Sequence, residues 1–309
     1  MDSDKKKHFS IIILGATASG KTNLSLELAF QNGEIISVDS RQVYKYMDIG
    51  TAKPSKSELL SIPHYLISII EPNERFTAGL FKKECEKLIE NIYNRGKTPF
   101  LVGGTGLYFN TILYGLSPVP SVPNYIRDFV DEKIKIRGIE RIYEILAKID
   151  PLYAKKIHKN DRQRISRAIE VFCFTKKNIS SFFVEKINND FKFVKIGIEI
   201  DRELLYKRID CRVDLMIKNG LIDETESLLK MGYSKDSFGM KTIGYAEIVD
   251  YIENRISKEE AIELIKRNTR HYAKRQITWF KKIDGISWFN YSDTKKIEEF
   301  VKKWVTLQS

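Results

Sequence analysis

Cysteine is scarce in this chain: its 309 residues hold three, Cys85, Cys173 and Cys211. They lie far apart with no C-x-x-C pair, which argues against a disulfide framework and against a zinc site and suits a reducing compartment. Long apolar runs are missing too. Nothing approaches the roughly 18–20 consecutive apolar residues of a membrane span. Residues 1–7 include Asp2 and Asp4 and precede only a short strand-like run. No signal or transit peptide is read there, and the expected compartment is the cytoplasm. Internal repeats and low-complexity tracts are also lacking. What is there is an ordinary globular composition, 42% apolar and 30% charged, long enough for one large α/β domain with an insertion or for two domains. Charge is the exception, since 52 basic against 41 acidic residues give a formal +11. That excess points to a polyanionic partner, although charge alone fits a merely basic housekeeping enzyme equally well.

One stretch carries a specific chemical signal. Gly15, Ala16, Thr17, Ala18, Ser19, Gly20, Lys21 and Thr22 match G-x-x-x-x-G-K-[ST], the phosphate-cradling loop or P-loop. The apolar run 9–14 before it reads as a strand buried on both faces. Leu24, Leu26, Leu28 and Ala29 after it lie in a segment of helix formers that lasts until Gly33. Strand, glycine turn and helix start fall in the order the motif needs. Glycines let the backbone wrap an anion, the helix N-terminus points free N–H groups at it, and Lys21 adds a full charge. The Thr22 hydroxyl suits Mg2+. The loop alone leaves open which phosphorylated ligand it holds.

Residues 34–40 read as a second buried strand ending in an acid. Ligands of open α/β sheets bind at the carboxyl ends of strands, so Asp39 is expected beside the phosphate loop. It could act there as metal ligand or water positioner, as general base toward a second substrate, or as a structural cap. Arg41, Gln42, Tyr44 and Lys45 follow, a set suited to reading a base. A loop punctuated by Gly50, Pro54 and Pro63 leads to a short strand expected at 65–70. Then Thr77 caps a helix with Leu80, Phe81, Leu88, Ile89 and Ile92 on its apolar face, closed by Gly96. Residues 99–108 read as a strand running into Gly103, Gly104 and Gly106 around Thr105. There the backbone is expected to approach a ligand closely, with Thr105 placed to donate its hydroxyl to a phosphate oxygen.

Beyond Gly115 the texture changes. Pro118, Pro120 and Pro123 read as a linker into a charged helical region over 124–175, with one helix starting at Asp150 and Pro151. This is a helical insertion over 117–190, a candidate mobile lid, on a core of 1–116 and 191–309. Within it Asp161 caps a helix on which Arg164 and Arg167 share a face; a plain solvated face explains that charge run as well. Residues 193–200 read as a strand returning to the core sheet. A helix from Arg202 follows, with Leu204, Leu205, Ile209, Val213 and Met216 as its stripe and Arg208 and Arg212 together on another face. Residues 240–245 form a turn. The helix after it carries Lys266, Arg267, Arg270, His271, Lys274, Arg275, Gln276 and Trp279, basic residues interleaved with aromatics, as a nucleic-acid backbone requires. A strand at 286–289 and a basic helix close the chain.

Taken together the sequence resembles the tRNA isopentenyltransferase family, the tRNA dimethylallyltransferases. The matching stretches are GATASGKT (15–22), SVDSRQVYKYMDIGTAKP (37–54), LVGGTGLYF (101–109), NDRQRISRAIEVF (160–172), GMKTIGYAE (239–247) and TRHYAKRQITWF (269–280). They occur in the family's order and cover nearly the whole chain. Ala16 stands where the family commonly has proline, and no C-terminal zinc module of the eukaryotic kind follows, so the resemblance is to the short bacterial type.

The resemblance implies an α/β fold, a P-loop NTPase-like parallel sheet flanked by helices with the helical insertion gripping tRNA. It implies transfer of a dimethylallyl group from dimethylallyl diphosphate to N6 of the adenine 3′-adjacent to the anticodon, with Mg2+ and no ATP turnover, by a monomer without membrane contact. Residues 15–22 and Arg212 would then hold the diphosphate, with Thr22 toward the metal. Asp39 would take the proton, and Lys21 and Thr105 would assist at the leaving group. The anticodon stem-loop would be contacted by Asp39, Ser40, Arg41, Gln42 and Thr105, by Gln163, Arg164, Ile165, Ser166 and Arg167, by Lys241, Thr242, Ile243, Gly244 and Tyr245, and by Arg270, Lys274 and Arg275. Two rival classes share parts of the pattern. A small-molecule phosphotransferase or adenylate-type isopentenyltransferase shares the loop but has no need of the long basic helix; a non-enzymatic RNA-binding protein has no need of Lys21 and Asp39 together.

Overall fold

A computed structural model describes residues 8–30, 32–183 and 191–306. Six strands form one sheet in the order β3-β2-β4-β1-β5-β6: β1 (His8–Gly15), β2 (Gly33–Val38), β3 (His64–Tyr65), β4 (Thr98–Gly103), β5 (Phe191–Glu199) and β6 (Ile286–Asn290). Every pairing is parallel. β1 lies between β4 and β5, and Ile11, Ile12, Ile13 and Leu14 are wholly buried, which is why that strand reads as an unbroken apolar run and not as an alternation. β3 is two residues long, shorter than the run expected at 65–70. Its backbone continues instead as turns, with Leu66 and Ser68 at positive φ.

Helices cover the sheet, and three of them take their starts from side-chain caps. Thr77 Oγ1 accepts the Leu80 N–H ahead of Ala78–Asn94, Asp201 accepts from Glu203 and Leu204 ahead of Arg202–Lys218, and Ser257 accepts from Glu260 ahead of Lys258–Phe280. Each satisfies donors that the first turn leaves orphaned. Phe81, Cys85, Ile89 and Ile92 form the buried face of the first of these helices; Leu80, expected there, is exposed.

The chain divides into two compact units, Met1–Leu113 with Asn189–Ser309, and Tyr114–Asn188. The second has a core of its own, in which Val130, Ile134, Ile142, Leu146, Ile165 and Ile169 meet. Its helices are Asn124–Arg137, Ile139–Ile149, Pro151–Ala154 and Arg162–Thr175. Asp150 is buried there and caps Pro151–Ala154, while also accepting the Ser180 N–H and hydroxyl, each at 2.9 Å. Among the described residues no helix is long and apolar enough to cross a membrane.

Candidate active site

The phosphate loop leaves β1 at Gly15 and enters the Lys21–Ala29 helix. Ala18 and Gly20 take left-handed backbone, with φ of 63° and 95°, which turns successive N–H groups toward one side. No side chain caps this helix and no acid sits in its first turn, so its N-terminal N–H groups and dipole stay uncompensated. Two loop amides are engaged inside the protein: Thr17 N–H donates to Gln276 Oε1 at 2.9 Å and Ser19 N–H to the Ala16 carbonyl at 3.2 Å. Ser19 Oγ is buried as well. Thr17 and Ser19 therefore shape the loop, and the amides beyond them are left for the anion.

Lys21 folds back over the loop and donates from Nζ to the Ala16 carbonyl at 2.7 Å. Burial first, and then the charge of Arg212, lower its pKa to about 7 against an opposing pull from Asp39. Arg212 reaches the same cleft from the Arg202–Lys218 helix. Burial lowers its pKa too, and no carboxylate raises it. Two partly desolvated cations beside free helix N–H groups make a pocket for a multiply charged anion. Arg208 lies over the Tyr291 ring, 4.1 Å from its centroid, and lines a neighbouring cavity together with Arg212, Ala18 and Gly20.

β4 runs between β1 and β2, yet Asp39 emerges into the cleft of the phosphate loop, as the sequence suggests, near enough for its charge to act on Lys21. Thr105, two residues past the end of β4, braces the backbone next to Asp39. Its Oγ1 accepts the Ser40 N–H at 3.0 Å, and the N–H groups of Gly104 and Thr105 both donate to the Val38 carbonyl. Asp39 Oδ1 accepts the Arg41 N–H at 2.8 Å, which fixes the carboxylate's direction. Asp39, Lys21, Arg212 and the loop line one cleft of about 830 Å³. Tyr272 lines it as well, its phenol pushed up to about 12 by burial and by the charge of Asp39, so it stays a neutral hydroxyl.

A second cavity of about 1110 Å³ adjoins the first, sharing Thr17, Asp39, Arg212 and Tyr272 and adding Arg41, Lys241 and Arg275. Asp39 thus faces both chambers, one built on the phosphate loop and one rimmed by cations.

The glycines after β4 have a cause besides the one expected. A Cβ at Gly103 would lie 2.1 Å from the Val38 carbonyl oxygen, one at Gly104 2.2 Å from Gln276 Nε2, and one at Gly106 2.5 Å from the Trp279 ring. They make room for protein, and Gly103 and Gly104 also line the cleft.

The family description "IPP transferase" matches residues 42–283. A tRNA dimethylallyltransferase of Thermoanaerobacter sp. is 50% identical over 299 residues, covering 94% of this chain and 95% of the relative. This chain belongs to the IPP transferase family. A tRNA dimethylallyltransferase of Acetivibrio thermocellus is 46% identical over 94% of the chain and 95% of its own length. The crystal structure of the tRNA isopentenylpyrophosphate transferase of Bacillus halodurans matches with a TM-score of 0.72 at 38% identity, covering 98% of each chain. A eukaryotic dimethylallyltransferase crystallised acting on tRNA matches with a TM-score of 0.79 at 30% identity, over 96% of this chain and 77% of that one.

Within this IPP transferase the residues expected to meet RNA separate by exposure. Lys241, Lys274 and Arg275 are exposed, as are Gln163 and Arg164 in the helical unit. Thr242, Gly244, Ile165 and Ser166 are buried, and Thr242 and Gly244 also line the larger cavity. Tyr245 is 0% exposed; its hydroxyl donates to Glu224 and accepts the Gly50 N–H, so it belongs to the core. Glu224 also accepts the N–H groups of Asp48 and Ile49, clamping the loop after Asp39. Gln42 is committed to Ser37 and to the Ala52 carbonyl. Arg270 pairs with Asp210 at 2.5 Å, and Arg167 donates to the Pro120 carbonyl at 2.7 Å. Sequence reasoning overlooked Glu224, Tyr272 and the role of Gln276. None stands in a recognisable local pattern, because each acts on residues far away in the chain.

Proposed function

We infer that this chain transfers a dimethylallyl group from dimethylallyl diphosphate to N6 of the adenine 3′-adjacent to the anticodon in tRNA, releasing diphosphate. The observation that carries the reading is Asp39, which lines both the chamber of the phosphate loop and the chamber rimmed by Arg41, Lys241 and Arg275. A donor with a charged leaving group fits the first, and a base on a phosphate backbone fits the second.

The chemistry follows from that placement. As the allylic C–O bond breaks, negative charge grows on the diphosphate; Lys21, Arg212 and the free N–H groups of the Lys21–Ala29 helix are already in place to receive it. The adenine amine is a poor nucleophile because its lone pair is delocalised into the ring. Asp39, held by the Arg41 N–H, takes its proton as the new C–N bond forms, a role worth about 10²–10⁴-fold. Thr105 accepts from Ser40 N–H and points its own O–H at Ser40 Oγ, 3.4 Å away; giving up that long contact lets the hydroxyl turn toward a phosphate oxygen. Unstacking the target base costs a few kcal/mol, and contacts from Arg41, Lys241, Lys274 and Arg275 to the stem-loop offset it.

Among the described residues no group of three or more His, Cys, Asp or Glu side chains gathers to hold a metal. The donor at the loop is the exposed Thr22 hydroxyl, which fits a magnesium ion bound chiefly through diphosphate oxygens and water. When bound, Mg2+ supplies further charge neutralisation on the leaving group. The helical unit grips the tRNA stem, and the protein works as a cytoplasmic monomer.

Incubation with tRNA and labelled dimethylallyl diphosphate, followed by nucleoside mass analysis, tests the reading. Prenylated adenosine is expected, with no consumption of labelled ATP. Phosphate transfer from ATP without prenylation would overturn it.

A further inference from the structure

Gln276 lies on the Lys258–Phe280 helix and is 5% exposed. Both ends of its carboxamide are used. Oε1 accepts the Thr17 N–H of the phosphate loop at 2.9 Å, and Nε2 donates to the Gly104 carbonyl at the end of β4 at 2.8 Å. One side chain therefore ties the two glycine turns that flank the cleft, across 259 and 172 residues of sequence. Room for it exists because residue 104 has no Cβ. Thr17 directly precedes Ala18, whose left-handed backbone starts the arc of loop amides. A buried carboxamide with both ends satisfied is rigid, and losing one partner leaves a buried polar group unpaired. The same helix presents Tyr272 to both chambers and Arg275 to the larger one.

We propose that Gln276 is a positioning residue for the donor: it sets the phosphate loop against the tip of β4 in the form that receives diphosphate, and does so from the helix that faces the acceptor. This rests on the reading of the loop as a diphosphate site. Gln276 spends both ends of its carboxamide on Thr17 and Gly104, so its loss acts on the donor through Thr17.

The test compares wild type, Gln276→Glu and Gly104→Ala by calorimetry with inorganic diphosphate, together with tRNA binding and steady-state kinetics. Ionised glutamate faces the Gly104 carbonyl with no hydrogen to give, whereas the protonated acid restores one donor and one acceptor. Gln276→Glu should therefore bind diphosphate up to about 10²-fold more weakly at neutral pH, gain more affinity than wild type does as pH falls, so that the gap between them closes, and bind tRNA unchanged. Gly104→Ala should share the donor-selective loss, and the loss should not add in Gly104→Ala/Gln276→Ala, where the smaller side chain leaves space for the new Cβ. If wild type takes up diphosphate and both single variants match it, with only melting temperature lowered, Gln276 is structural and the proposal fails. If wild type itself binds no diphosphate, the reading of the loop fails with it.

Discussion

Arg212 acts on Lys21 through space: after burial, its guanidinium is the main cause of the low pKa, about 7, of the lysine ammonium. The two side chains come from elements far apart in sequence and meet at the carboxyl end of β1. Two like charges brought together out of water are costly unless an anion arrives to compensate them. The ligand-free cleft thus holds an electrostatic strain that diphosphate relieves.

A pH dependence of donor binding follows. A lysine with pKa about 7 is largely neutral at pH 8, while a diphosphate favours the ammonium and raises that pKa. Binding above pH 7 therefore takes up a proton, and affinity falls as pH rises through and beyond 7. Calorimetry at pH 8 in buffers of different ionisation enthalpy should show uptake approaching one proton per diphosphate. Uptake indistinguishable from zero would contradict the assignment of Lys21.

Asp39→Asn preserves an oxygen to accept the Arg41 N–H but removes the base. Single-turnover transfer should slow by about 10²–10⁴-fold while tRNA affinity holds. A variant with normal transfer and weakened tRNA binding would assign Asp39 to recognition alone.

Tyr245→Phe tests burial against RNA contact. It deletes the hydroxyl that donates to Glu224 and accepts from Gly50, so stability in urea should drop by about 1–3 kcal/mol. The salt dependence of tRNA binding should not change. A normal midpoint with weaker tRNA binding would place the ring at the RNA after all.

The exposed cations behave differently. Lys274→Ala and Arg275→Ala should each lower the slope of log K against log salt by roughly 0.7–0.9 if each neutralises one phosphate. Arg270→Ala should chiefly reduce stability, by up to about 1 kcal/mol, since Arg270 already pairs with Asp210. Filter binding over a salt series, alongside urea titration, separates the two cases.

Local chemistry made much of this protein legible in one dimension. The phosphate loop needs glycine, lysine and threonine at adjacent positions; β1 advertises its burial by four successive apolar residues; Thr77 and Asp161 announce helix starts because a cap acts within three residues. Strand order is not local. That β4 separates β1 from β2, so that Thr105 meets Ser40 across 65 residues of sequence, depends on which strands pair across the sheet. The meaning of Gly104 is likewise hidden, because the atom that demands its small size is on Gln276, 172 residues away. The sequence by itself determined most of the elements, the phosphate-loop motif and the family to which the chain belongs. Only the tertiary structure decided which polar side chains face the cleft and which, like Tyr245 and Gln276, are used up inside, since burial and long-range hydrogen bonding depend on packing and not on spacing.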